Sequence, residues 1–141
     1  MFSREESKQL RHEFWTSFGK SFPRKWTLYN TKIKDFSFKF YFDEKKAMVS
    51  LNIEDQKLEN RIKYYEKIES LQSILKEYLP DIIFMNTCYL DNGKEISRIY
   101  VELENVSIHN KNTWRKTMEF LNKNMEKFES FWSEYEDFIK A

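Results

Sequence analysis

Side chains that ligate transition metals through nitrogen or sulfur are scarce in this 141-residue sequence, which has two histidines and one cysteine. His12, His109 and Cys88 do not stand at metal-ligand spacing from one another. His12 lies between Arg11 and Glu13 in a helical stretch and reads as exposed, and His109 precedes a helix cap. Cys88 falls in an expected strand with no neighbouring base, and reads as a small buried thiol. Gly19 and Gly93 are the only glycines, so neither a Gly-rich phosphate loop nor a Gly-x-Ser-x-Gly elbow can be built. One acidic set invites a test. Restriction-type nucleases hold a cation and activate water with acids and a lysine on adjoining strands. Asp35, Glu44 and Lys46 occur in that order, but Glu44 and Lys46 belong to a polar turn, where rigid positioning is not expected. A solvated turn accounts for them. No catalytic residue, metal or cofactor is expected.

Charge carries more information. Residues 1–46 hold 11 basic and 6 acidic side chains, and residues 47–141 hold 13 and 17. Between positions 20 and 34, Lys20, Arg24, Lys25, Lys32 and Lys34 occur without any acid, with Trp26 and Tyr29 among them. Basic groups neutralise phosphates and aromatic rings stack on unpaired bases, so this stretch is a candidate nucleic-acid contact. The alternative is a solvated loop whose Trp and Tyr plug into the core. Arg98 sits in an expected strand at the parity opposite Ile99, Val101 and Leu103, and is either a surface residue or part of a binding face. Glu126, Glu129, Glu134, Glu136 and Asp137 surround an apolar stripe near the C-terminus. They form a polar outer face, or they meet the basic stretch of a second copy.

These residues need elements to hold them. Ser3 and Glu6 have capping-box spacing, and Leu10, Phe14 and Phe18 follow every four residues, so a first helix is expected to end at Gly19. Phe36, Phe38, Phe40 and Phe42 alternate with Ser37, Lys39 and Tyr41, and Ala47 to Ile53 alternate likewise. Joined by Asp43-Glu44-Lys45-Lys46, these segments read as a hairpin. A second helix is expected over about 56–79, with Leu58, Ile62, Tyr65, Ile68, Leu71, Leu75 and Tyr78 as its stripe and Pro80 as its stop. Residues 82–90 and 96–104 make a second hairpin around Asp91-Asn92-Gly93. A last helix begins near Asn110 or Asn112. Its residues Trp114, Met118, Leu121, Met125, Phe128, Trp132, Tyr135 and Ile139 repeat every seven positions. The order helix, hairpin, helix, hairpin, helix implies one α+β domain over 1–141. It consists of a four-stranded antiparallel sheet packed by three helices, the last one long.

Several motifs look familiar together. Phe14-Trp15 with Phe18-Gly19, then Trp26-x-x-Tyr29-x-Thr31-x-Ile33-Lys34, then the alternating Phe strand, resemble a bacterial family of domains of unknown function. Tyr64-Tyr65-Glu66, Ser97-Arg98-Ile99-Tyr100, Val106-Ser107-Ile108 and Trp114 agree with it, over nearly the whole chain. Thr31-Lys32 stands where relatives often have Thr-Gly. The resemblance implies a domain found alone or behind larger N-terminal segments, some resembling restriction-type nucleases. That context points to nucleic-acid metabolism or defence, and an activity housed in such a segment is not expected of these residues.

Composition bounds the rest. At 40% hydrophobic, 18% aromatic and a net charge of +1, the chain is not disordered and is unlike a strongly basic DNA-coating protein. The longest apolar run is Ile82-Ile83-Phe84-Met85, far short of the roughly 20 residues of a membrane helix. The opening residues lack the apolar segment of a signal peptide, and a lone cysteine suits a reducing, cytoplasmic setting. The expected function is a non-catalytic interaction module, self-associating or accessory to a protein partner. The alternative is a nucleic-acid-binding module using Lys20, Arg24, Lys25, Trp26, Tyr29, Lys32, Lys34 and Arg98. A metal-dependent nuclease ranks third.

Overall fold

The computed structural model describes residues 2–24 and 30–141. Its elements are α1 (Arg4–Ser21), β1 (Phe36–Phe42), β2 (Lys46–Ile53), α2 (Leu58–Ser70), α3 (Gln72–Tyr78), β3 (Ile83–Tyr89), β4 (Glu95–Glu104) and α4 (Trp114–Lys140). The four strands form an antiparallel sheet in the order β1-β2-β4-β3, so the two hairpins join through β2 and β4. Register follows the side-chain alternation. Phe38 faces Leu51, which faces Ile99, and Phe40 faces Val49, which faces Val101. These rows form the inner face, on which the helices lie.

Aromatic rings make the contact between layers. The Phe38 ring lies 5.3 Å from Phe128 and 5.8 Å from Trp132, both edge-on, and Phe14 of α1 lies 4.6 Å from Phe42. Along α4, Trp114, Met118, Leu121, Met125, Phe128, Trp132 and Ile139 are buried as the seven-residue repeat requires, while Tyr135 is half-buried. Phe131, outside that repeat, is buried too.

The helices depart from expectation in four places. The segment expected as one helix over 56–79 is two, α2 and α3, meeting at Leu71, so four helices rather than three accompany the sheet among the described residues. Within α2, Leu58 and Ile62 face outward and Arg61 takes the inward position at 4% exposure. Arg61 donates to the carbonyls of Asp55 and Glu95, both at 3.2 Å, and pairs with the Glu95 carboxylate at 2.8 Å. It thereby pins the start of α2 to the start of β4. The first helix has the capping box of Ser3 and Glu6 but runs past Gly19 to Ser21, since the amide of Phe22 still reaches the Phe18 carbonyl. Pro23 then bars continuation. Finally, Asn110 caps a 3₁₀ turn at Lys111–Thr113, and α4 begins only at Trp114, without a side-chain cap.

Candidate functional site

The structure does not gather the basic candidates into one groove. Lys20 is exposed near the end of α1. Arg24 pairs with Glu126 at 2.9 Å and with Glu129, so the basic and acidic regions meet within a single chain. Lys25, Trp26 and Tyr29 lie outside the described residues. Lys32 and Lys34 are exposed in the loop before β1. That loop is braced by Thr31, whose hydroxyl donates to the Phe36 carbonyl at 2.6 Å and accepts the Ile33 amide at 3.2 Å. Lys32 there adopts φ 64, the left-handed region that favours glycine. The nuclease set also fails to converge. Asp35 precedes the seven-residue β1 and Glu44 follows it, which places them about 20 Å or more apart. Lys46 is engaged by Glu102 at 2.9 Å. Among the described residues no three His, Cys, Asp or Glu side chains cluster as metal ligands.

Arg98 belongs to a different surface. The register places it opposite Asn52 of β2 on one side and Met85 of β3 on the other, in the row that turns away from the helices. This outer face is not flat. Pairing of β3 with β4 is irregular between Met85 and Cys88, and such a bulge bends a hairpin. Glu54, at the end of β2, holds Lys39 of β1 at 2.9 Å and Lys94 beside the β3–β4 turn at 3.5 Å. The turn is thus held over the outer face, and Tyr89, Leu90 and Asp91 line a recess of about 360 Å³ together with Lys39, Tyr41, Lys46, Met48, Ser50, Asn52 and Arg98. Met48, Ser50, Asn52 and Ile96 are buried although they sit on the face without helices.

The titratable groups around the recess are organised. Tyr41 donates to the Asp43 carboxylate at 2.6 Å. Burial, then that hydrogen bond and the Asp43 charge, push its phenol from 10.0 to about 12. Burial would raise Asp43, but the bonds from Tyr41 and from the amides of Lys45 and Lys46 outweigh it and hold this carboxyl below its usual range. Glu54 is lowered in the same way, burial being overcome by Lys39, Asn52 and Lys94. Cys88, expected to be buried, is only half-buried, and its thiol is raised by partial burial.

One further constellation resembles a hydrolase relay. Ser7 Oγ lies 2.7 Å from His109 Nε2, and His109 Nδ1 lies 3.7 Å from Glu44 Oε2. The last distance is too long for a hydrogen bond, and Glu44 is largely exposed. The Ser7 amide is already bonded to the Ser3 carbonyl, and the adjacent recess beside Glu44 is not lined by Ser7. The contact docks α1 onto the loop before α4. Sequence spacing gave no hint of it, because 102 residues separate Ser7 from His109.

A family model matches residues 10–136, from within α1 almost to the end of α4, and so takes in the whole sheet and its outer recess. The chain belongs to the family described as Domain of unknown function (DUF4268). No curated protein and no solved structure matches it. Membership in DUF4268 agrees with the resemblance drawn from the sequence motifs, and it assigns no activity.

Proposed function

We propose that this DUF4268 chain is a non-catalytic interaction module that self-associates through the edge strand β3. The observation that carries the reading is the character of that strand. Ile83-Phe84-Met85-Asn86-Thr87-Cys88-Tyr89 contains no charge and no proline, and among the described residues β4 is its sole neighbour in the sheet. Ile83, Met85 and Tyr89 are 40%, 36% and 66% exposed. Edge strands are ordinarily blunted by lysine, proline or inward charges, because their free N–H and C=O groups template further pairing. Here only the bulge between Met85 and Cys88 interrupts the edge. A second copy related by a two-fold axis meets an uncharged strand with its own, without like-charge repulsion, and extends the sheet to both chains.

The helical side offers less. The apolar stripe of α4 packs into the chain's own core, with Leu121, Met125 and Phe128 at most 1% exposed. A nucleic-acid module built on the 20–34 stretch draws little support, since Arg24 is held by Glu126 and Glu129. Sedimentation velocity over a wide concentration range tests the proposal. The chain should dimerise, and Ile83→Lys with Met85→Lys should leave a monomer with an unchanged urea midpoint. A strict monomer at all concentrations, or a dimer indifferent to both changes, overturns it.

A further inference from the structure

The outer recess holds hydrogen-bond donors that the chain itself does not use. Arg98 gives its Nε–H to Asn52 Oδ1 at 3.0 Å, and the Asn52 amide nitrogen is turned toward Glu54 at 3.4 Å. This fixes the plane of the guanidinium, while neither Nη group has an acceptor among the described residues. Ser50 lies two residues from Asn52 on the same side of β2 and is 2% exposed. Its hydroxyl also lacks a partner among the described residues, and it faces the recess. Because no buried side-chain nitrogen or oxygen is left unpaired among the described residues, this hydroxyl keeps access to the recess and is free to meet a ligand there.

The two lysines of the lining are committed. Lys39 is tied to Glu54 and Lys46 to Glu102, and Asp91 is the one acid among three basic side chains in the lining. A fixed guanidinium fork beside a hydroxyl suits an oxyanion. The space, about 360 Å³, exceeds what a bare anion fills and falls within the range of small-molecule pockets. Tyr41 and Tyr89 line the same recess with 41% and 66% of their surfaces exposed. The Tyr41 ring is held in place by its bond to Asp43. The geometry points to a phosphate site: Arg98 and Ser50 hold the phosphate group of a nucleotide-like ester, and Tyr41 and Tyr89 flank its flat organic part.

The phosphate-holding residues Arg98 and Ser50 lie on β4 and β2, and the site shares only Tyr89 with the β3 edge. Its test is NMR titration of the intact chain with inorganic phosphate, a nucleoside monophosphate and the bare nucleoside, following the Arg98 Nε–H resonance and the Ser50 and Asn52 amides. The monophosphate should shift these resonances and the bare nucleoside should not. Arg98→Gln should weaken binding by about tenfold or more, and Ser50→Ala by a smaller factor, with thermal melting confirming that both variants fold. Arg98→Lys, which keeps the charge and loses the fork, should restore only part of the affinity. If inorganic phosphate binds as tightly as the monophosphate, the phosphate site stands and the tyrosines make no contact with the ester. Absence of shifts at Arg98 up to tens of millimolar ligand, or affinity unchanged in Arg98→Gln, overturns the assignment.

Discussion

Replacing Met125 by lysine distinguishes a core stripe from an interface stripe on α4. Met125 has no exposed surface and belongs to the central cluster of buried residues. Removing its side chain from that cluster costs about 2–3 kcal/mol of apolar burial. A lysine there keeps its charge only by desolvating an ammonium, or it loses its proton. Buried lysines are depressed by about 3–5 pKa units, which corresponds to about 4–7 kcal/mol near neutral pH. The sum, about 6–10 kcal/mol, rivals the whole stability of a domain, which is about 5–15 kcal/mol. Circular dichroism should show Met125→Lys largely unfolded, whereas Met125→Leu, of similar volume, should lose less than about 1.5 kcal/mol. The lysine variant should also recover stability as pH rises toward about 10. Its folded-state pKa is depressed, so the unfolded chain binds more protons and loses that advantage as the solution becomes basic. A Met125→Lys protein that stays folded with an unchanged urea midpoint, and merely changes its sedimentation, would refute the core assignment.

Two further outcomes follow from local geometry. Lys32 holds φ 64, so Lys32→Gly should stabilise the fold by about 0.5–1 kcal/mol after the entropy of glycine is allowed for, read as a higher urea midpoint; an unchanged or lower midpoint contradicts the strain argument. The Tyr41 phenol is raised to about 12, so the folded chain keeps a proton that the unfolded chain releases near 10.0, and stability should fall between these values. Asp43 is held low, so its contribution is present above its usual range and is lost as acid protonates it. Ultraviolet titration should show a late phenol that disappears in Tyr41→Phe, and a wild-type profile without that late phase would count against the Tyr41–Asp43 bond.

Much of the architecture was readable because periodicity reflects burial directly. The alternating Phe36 to Phe42 segment has the β1 register, and the seven-residue repeat from Trp114 to Ile139 marks the buried face of α4. The Ser3–Glu6 capping box was legible because both of its bonds are local. Arg61 was not. An arginine among Leu58, Ile62 and Tyr65 reads as solvent-facing, and its inward position depends on the carbonyls of Asp55 and Glu95, the latter 34 residues away. The break at Leu71 was likewise hidden, since apolar residues at helical spacing continue across it.

The candidate sites divide along the same line. From the sequence alone came the strands, the long helix, the charge asymmetry and the outward parity of Arg98, because each depends on the spacing of neighbours along the chain. Tertiary structure alone decided that Arg24 is neutralised by Glu126 and Glu129, and that Asp35 and Glu44 stand at opposite ends of β1. It also decided that Arg98, Ser50, Tyr41 and Tyr89 share one hollow. Those groups come from all four strands, brought together by the sheet order and the bend at the β3 bulge, and pairing between distant segments leaves no periodic trace in the residues that line the result.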